Sequence, residues 1–445
     1  MGFLIFAIFI ILWHTSVYGA IRSKRQRRFN QEKKLVDIVY LLQYINTMAV
    51  AREQMTYVDL FAGAGGLSLG FYKSGFKGLF AVEKSIDAYK TLEHNLINAG
   101  HFDWPEWFPQ QPHAIEDVIE KYKKQLVGMR GKVDIVVGGP PCQGFSMAGV
   151  RNHEDARNKM VDKYIEFVGL VQPKFIFFEN VHGISVEFKI ENQRVRYSEI
   201  VASKLRDLGY SVKCSEIKIS DFGVPQKRKR FILVGSLNGK VDDFFERLKD
   251  RKESFLKKRG LRQTATVFDA VSDLLMENGT KKCEDCKGQF QSGIYGAVQS
   301  DYQKFMRSGV NCLSPNSHRY ANHTPKILAM HEYMISNIEK GKRITPNDNL
   351  VDGLKRRGVT ILDESSQAPT IMSIPDDFVH YSEPRILTAR EMARIQSFPD
   401  WYEFKGKYTT GGSLRRVDVP RYTQIGNAVP PLFAEQVAEV FREVI

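Results

Sequence analysis

Short apolar runs, each ended by polar or glycine-rich residues, recur between residues 55 and 235. They read YVDLF, GLFAVE, VDIVV, KFIFFENV and RFILVG, beginning at positions 57, 78, 133, 174 and 230. Continuous apolar runs of this length are typical of strands buried on both faces of a mostly parallel sheet. A later run, Leu432–Val444, is apolar on one face and predicts a helix that returns to this lobe.

The turn after the first run is rich in glycine. Gly63, Gly65 and Gly66 let the backbone approach a ligand closely, and the following pattern predicts a helix whose amide groups point at it. Glu83 ends the second run, twenty residues after Gly63, where an acid can accept both hydroxyls of a ribose. IEDV, at 115–118, predicts another strand edge, where Asp117 would accept from an adenine amino group. These features favour an adenosine-type cofactor.

The third run leads directly into GGPPCQGFS, at 138–146. Two prolines fix the backbone and remove two amide donors, so the loop is stiff and would hold Cys142 at a fixed point. Free cysteines are more often small buried hydrophobes, but the neighbouring Gln143 and Ser146 argue against purely apolar burial. Since no histidine lies in the loop, any activation of the thiol must come from elsewhere in the fold.

Two later segments supply candidate partners for this thiol. The fourth run ends in Glu179, where a carboxyl at the rim of a buried sheet can donate a proton. Gln226, Arg228 and Arg230 then alternate on the way into the fifth run, which predicts that they share a face. Guanidinium groups there would bind phosphate or hold a carboxylate, although a charged strand edge is the simpler alternative.

Taken in order, these blocks resemble the cytosine-C5 DNA methyltransferase family. The similar blocks run from about residue 56 to the C-terminus and comprise DLFAGAGG, VEKS, GGPPCQGFS, DARN, ENV, PQKRKR, RILTAREMARIQSFPD and QIGNAVPP. The resemblance implies a Rossmann-like, AdoMet-dependent methyltransferase sheet with a second, smaller target-recognition domain. It also implies S-adenosyl-L-methionine as cofactor and duplex DNA as substrate.

For the chemistry, the resemblance implies covalent catalysis on a flipped-out cytosine. Cys142 would attack C6, Glu179 would protonate N3, and Arg228 or Arg230 would hold the base and that carboxyl. The resemblance also implies cofactor contacts at Asp59, Phe61, Gly63, Gly65, Gly66, Glu83, Asp117, Pro140 and Asn427. Gln143, Ser146 and Gln226 are the implied nucleic-acid contacts, whereas Arg385 is expected to have a mainly structural role.

The same blocks suggest how the chain is divided. We expect an N-terminal extension over 1–54, a catalytic AdoMet-binding domain over 55–235, a target-recognition domain over 236–418, and a returning C-terminal segment over 419–445. Residues 236–384 lack the shared blocks but are rich in Lys and Arg interleaved with aromatic residues, which suits a DNA-reading role.

Charge and the N-terminus add two expectations. The net charge of +13 favours a polyanionic partner, although a merely soluble basic surface would look the same. Gly2–Trp13 is a short apolar block followed, not preceded, by a basic cluster, so a secretory signal is disfavoured. The block is either a membrane tether or lies upstream of a working start at Met48 or Met55. We expect a cytoplasmic monomer, with membrane contact disfavoured.

The five cysteines are too few for a disulfide framework in a chain of 445 residues. Cys283 and Cys286 form one CxxC pair, with Cys312, His318 and His323 as possible further zinc ligands. Because only one such pair exists and the other ligands are irregularly spaced, we predict no metal.

Two rival functions remain open at the level of sequence. A tRNA-methylating branch shares these blocks, and a non-catalytic DNA-binding relative could keep the fold. The long basic segment favours DNA, and the presence of every catalytic block favours an enzyme. A stand-alone catalytic chain of this kind resembles the modification half of a restriction–modification system, which implies a cognate restriction endonuclease as functional partner.

Overall fold

The computed structural model describes residues 54–141, 159–190, 193–354, 358–410 and 418–445. The strands within these ranges are β1 (Thr56–Leu60), β2 (Lys77–Val82), β3 (Ile135–Gly138), β4 (Phe175–Val181), β5 (Phe188–Ile190), β6 (Gln193–Val195), β7 (Ser211–Lys218), β8 (Gln226–Lys227), β9 (Lys229–Ser236), β10 (Thr280–Lys282), β11 (Gln291–Gly293), β12 (Arg343–Ile344), β13 (Val359–Ile361), β14 (Ala368–Pro369) and β15 (Phe378–Val379). The α-helices are α1 (Gly66–Lys73), α2 (Ile86–Leu92), α3 (Ile115–Lys121), α4 (Lys123–Gly128), α5 (Lys159–Val171), α6 (Tyr197–Asp207), α7 (Phe244–Lys258), α8 (Val267–Val271), α9 (Asp301–Met306), α10 (Pro325–Asn337), α11 (Ala389–Ile395), α12 (Arg421–Asn427) and α13 (Pro431–Val444).

The central sheet has six strands in the order β2-β1-β3-β4-β9-β7. Strands β1 to β4 are parallel, and Leu60 lies level with both Val82 and Gly138. Their carboxyl ends therefore meet at one edge, where open α/β sheets bind ligands. Strand β9 runs antiparallel between β4 and β7. The mixed α/β class predicted from the apolar runs is confirmed.

One core covers each face of this sheet, as expected for strands that are buried throughout. On one face the C-terminal helix α13 packs against α1 so closely that a Cβ added to Gly70 would lie 2.4 Å from the Ala434 Cβ. The Phe441 ring of α13 also contacts Phe71 and Phe175. The last helix thus completes the core around the first strand and helix.

Buried ion pairs hold the segment around α11. Arg394 binds both Asp400 and Asp273, and all three side chains are fully buried. Arg385 donates to both carboxylate oxygens of Glu391, at 2.8 and 2.7 Å. Glu391 also completes the N-terminal cap of α11 with Thr388. These contacts match the structural role predicted for Arg385.

The chain between β9 and α11 carries small local structures. A hairpin joins β10 to β11, and β12, β13 and β15 form a separate three-stranded sheet with its own small core around Met334. Across the residues that the structure describes, no helix has the length and apolar character needed to cross a membrane.

Candidate active site

The glycine turn after β1 lies at the shared edge of the sheet. Gly63 has φ +56°, and the space where its side chain would lie is open. By contrast, a Cβ on Gly65 would lie 2.7 Å from the Tyr402 hydroxyl, and one on Gly66 would lie 2.3 Å from the Val429 carbonyl oxygen. Glycine at these positions therefore leaves one side of the turn free for a ligand and lets the C-terminal part of the chain pack against the other.

Glu83 follows β2 beside this turn. Its Oε2 accepts from the Gly63 N–H at 2.9 Å and its Oε1 accepts from the Ser85 N–H at 2.7 Å. Desolvation raises the pKa of Glu83, and these backbone donors oppose that rise. The carboxylate is thus fixed next to the open side of the glycine turn, with further lone pairs to accept from hydroxyl groups.

Asp59 and Phe61 lie at the base of the same turn. Asp59 is fully buried, and its Oδ2 accepts from the Ser68 hydroxyl at 2.6 Å, while Oδ1 has no partner among the described residues. Burial raises the pKa of Asp59 to about 7. Phe61 takes the left-handed backbone conformation, with φ +58°. The open cradle, the fixed Glu83 and the unpartnered Asp59 oxygen fit an adenosine-containing cationic cofactor.

Asp117 does not lie at a strand edge, so that part of the prediction is wrong. It lies in the first turn of α3, where Ile115 and Val118 are buried, and its half-exposed carboxylate is 3.8 Å from the Lys121 ammonium. The chain just before α3 is nevertheless close to Glu83, because the His113 N–H donates to the Glu83 carbonyl oxygen.

The cysteine loop, residues 138–146, is described as far as Pro141, and it begins beside Glu179. A Cβ on Gly139 would lie 3.0 Å from Glu179 Oε2, and the buried Pro140 accepts through its carbonyl oxygen from the Asn180 amide at 3.0 Å. The hydrogen bond from Asn180 therefore holds the start of the loop against the end of β4. Cys142, Gln143 and Ser146 lie outside the described residues, so their roles remain predictions.

Glu179 forms an ion pair with Arg230 at the sheet edge. The Arg230 Nε lies 2.8 Å from Glu179 Oε1, and the two side chains are only 12% and 10% exposed. Burial lowers the pKa of Arg230, and the adjacent Glu179 opposes that shift. The arginine thereby fixes one carboxyl oxygen, and the other faces the start of the cysteine loop.

Arg228 and Gln226 make different contacts from Arg230. Arg228 is 2% exposed and donates to the carbonyl oxygens of Ile371, Gly426 and Ala428, at 3.1 to 3.3 Å. Gln226 is fully buried and donates to the Gln396 side-chain oxygen at 2.6 Å. Of the two arginines predicted to hold the carboxyl, Arg230 is therefore the one in contact with it.

Helix α12 brings Asn427 to the glycine turn. The Thr91 hydroxyl of α2 donates to the Gln424 side-chain oxygen at 2.7 Å, and Val429 follows directly against Gly66. Asn427, the last residue of α12, is exposed. The Tyr402 hydroxyl also donates to the Ala64 carbonyl oxygen at 2.6 Å, a contact that no motif in the sequence indicated.

The possible zinc ligands are not brought together. Cys283 and Cys286 have their sulfurs 2.6 Å apart, but Cys312 contacts the Ser314 carbonyl oxygen. His318 and His323 contact Thr388 and the Ile386 amide, respectively. Within the described ranges, no group of three or more His, Cys, Asp and Glu side chains could hold a metal ion.

The central, mostly parallel sheet has the AdoMet-dependent methyltransferase fold, which solved structures share. One is described as a DNA modification methyltransferase encoded within a prophage (E. coli); it has a TM-score of 0.58 at 23% identity, covering 88% of this chain and 99% of that chain. Another is the Dnmt2 methyltransferase of S. pombe, with a TM-score of 0.51 at 13% identity and the same coverage.

The chain belongs to the C-5 cytosine-specific DNA methylase family, whose model matches residues 55–443. It is 30% identical to the type II methyltransferase M.DdeI of Desulfomicrobium norvegicum over 86% of this chain and 88% of that protein. It is also 30% identical to M1.HphI of Haemophilus parahaemolyticus over 86% of each chain. The protein is therefore an AdoMet-dependent DNA methyltransferase.

Proposed function

We propose that the protein methylates C5 of a flipped cytosine within a specific duplex DNA sequence, through a covalent bond between Cys142 and C6. The observation that best supports this is the Glu179–Arg230 ion pair, which lies against the first residues of the cysteine loop. A stiff loop beside a fixed carboxyl suits a reaction in which two groups must act on one ring at the same time.

In the proposed sequence, the Cys142 thiolate forms a bond to C6 while Glu179, in its acid form, protonates N3. The electron pair released toward C5 makes that carbon nucleophilic. S-adenosyl-L-methionine, when bound, supplies the methyl group that C5 takes. Transfer of the C5 proton to bulk water then expels the Cys142 sulfur from C6 as the thiolate, and the proton on N3 returns to Glu179. Arg230 holds the Glu179 carboxyl throughout.

The cofactor would lie over the open side of the glycine turn. Glu83 would accept from the ribose hydroxyls, Asp117 from the adenine amino group, and Asn427 would close over the methionine end. Asp59, Phe61, Gly63, Gly65, Gly66 and Pro140 would form the remaining surface. The open space above Gly63 and the fixed orientation of Glu83 support this arrangement.

We further propose that residues 236–418 form the target-recognition domain and that Gln143 and Ser146 approach the DNA. The buried position of Gln226 favours a role in packing over direct contact with a base. Because its relatives include type II methyltransferases, we also propose that the protein protects host DNA from a cognate restriction endonuclease. We further propose that it acts as a monomer.

A mechanism-based trap tests the catalytic proposal. Purified protein is incubated with S-adenosyl-L-methionine and duplex DNA containing 5-fluorocytosine at the target site. Because fluorine cannot leave as a cation, the complex should persist under denaturing electrophoresis, and Cys142→Ala should abolish it. A complex that survives this substitution would show that another nucleophile attacks.

The same preparation separates the rival functions. With labelled cofactor, methyl transfer should appear in unmodified duplex DNA and not in tRNA. Transfer to tRNA alone would favour the RNA-methylating alternative, and no transfer to either, by folded protein that binds DNA, would favour a non-catalytic relative.

A further inference from the structure

The loop between β10 and β11 contains a carboxylate, Asp285, most of whose partners lie in distant parts of the chain. Five donors converge on Asp285. The Tyr408 hydroxyl, at 2.7 Å, and the Cys283 thiol, at 3.1 Å, donate to Oδ1. Oδ2 accepts from the Arg421 guanidinium at 2.5 Å, the Ser317 N–H at 2.9 Å and the Asn316 amide at 3.0 Å. Such a set of contacts fixes the carboxylate in one orientation.

The most consequential of these partners is Arg421, the first residue of α12. Its side chain is 5% exposed, and Asp285 is the carboxylate that pairs with it. A cation at the N-terminal end of a helix is disfavoured by the helix dipole, and a buried guanidinium is costly without an opposite charge. Asp285 removes both penalties, and its carbonyl oxygen accepts a further hydrogen bond from Arg421 at 3.1 Å.

The other end of α12 is held from the catalytic sheet. Arg228 donates to the carbonyl oxygens of Gly426 and Ala428, so a cation lies where the helix dipole favours one. Between the two ends, Gln424 is bound by Thr91 of α2. The helix is thus fixed by Asp285 at its first residue and by Arg228 at its last turn, with the exposed Asn427 next to the glycine turn.

We propose that Asp285 is a positioning residue for cofactor binding, acting through Arg421 to set the placement of α12 and Asn427. The inference rests on the proposed contact of Asn427 with S-adenosyl-L-methionine. It gives the loop between β10 and β11 a role in the cofactor site, although this loop lies within the proposed target-recognition domain. Asp285 touches neither the cofactor nor the reacting atoms, so its effect is on cofactor affinity.

The test compares Asp285→Asn with Glu284→Gln in the full-length protein. Glu284 is the adjacent residue, and its side chain is 79% exposed, so its substitution controls for charge removal in the same loop. Asp285→Asn should raise the KM and Kd for S-adenosyl-L-methionine about tenfold, the scale of a charged hydrogen-bonded contact. Its kcat at saturating cofactor and its KM for DNA should stay within about twofold. Glu284→Gln should behave like the wild type in all four quantities.

A double substitution distinguishes a loss of cofactor affinity from a loss of folding. If Asp285→Asn folds poorly, Asp285→Asn with Arg421→Gln removes the unpaired buried charge and should restore folding, while cofactor KM remains raised. Unchanged cofactor affinity in a folded variant would overturn the inference, as would equal losses in kcat and in both KM values. Failure of the wild type to methylate DNA would instead overturn the proposed function.

Discussion

Among single residues, the Glu179–Arg230 pair is central to the proposed chemistry. Glu179→Gln keeps the shape of the side chain but removes the carboxyl group that would exchange a proton with N3 and its charged contact with Arg230. We expect kcat to fall by about 10²–10⁴-fold, the usual contribution of general acid catalysis. Single-turnover methyl transfer to duplex DNA measures this fall. Glu199→Gln, a substitution at an exposed glutamate on α6, should leave the rate unchanged.

The strand segment that contains Arg230 also differs from what its alternating pattern predicted. Strand alternation predicted that Gln226, Arg228 and Arg230 share a face and a task. In the structure, β8 pairs with β14 whereas β9 joins the central sheet, so the pairing partner changes at Arg228. Arg228 therefore reaches the α12 segment and Arg230 reaches Glu179. That change of pairing partner depends on β14, more than a hundred residues away, and no local pattern indicates it.

Among the elements, helices α1 and α13 pack in close contact at Gly70. Gly70→Ala would place a Cβ 2.4 Å from Ala434 Cβ and 2.5 Å from the Glu435 nitrogen. We expect a loss of about 1–3 kcal/mol in the free energy of unfolding from this overpacking, despite the better helix propensity of alanine. Urea denaturation followed by circular dichroism measures the change.

Gly169→Ala in α5 is the matched control. Its added Cβ would approach Leu208 at 3.4 Å, which is ordinary contact. The variant should be as stable as the wild type or gain up to about 1 kcal/mol, because alanine lowers the entropy of the unfolded chain. Equal destabilisation of both variants would show that the α1–α13 packing is not specially tight.

The elements differ in how well the sequence predicted them. The five apolar runs formed strands, as expected for strands that are buried on both faces of a sheet. IEDV was misread, because four residues cannot distinguish a strand from the first turn of an amphipathic helix. Strand β7 was not predicted, because it lies at the edge of the sheet and has no apolar run, and only Val212 and Ile217 are buried in it.

For the molecule as a whole, the order of the similar sequence blocks along the chain predicted the family. The fold brings the ends of strands from distant segments to one edge of the sheet. The sequence did not predict how the C-terminal segment is held there. That depends on buried contacts of Tyr402, Gln396 and Arg228 with backbone atoms, and backbone partners leave no mark in the sequence.

We propose that this chain places a methyl group on C5 of cytosine at one DNA sequence. Bisulfite sequencing of genomic DNA from cells that express the protein tests it most directly, because it reports activity, base and target together. We expect cytosines protected from conversion at a single recurring sequence, and full conversion when Cys142→Ala is expressed at an equal level. Complete conversion of DNA from cells that contain folded wild-type protein would contradict it.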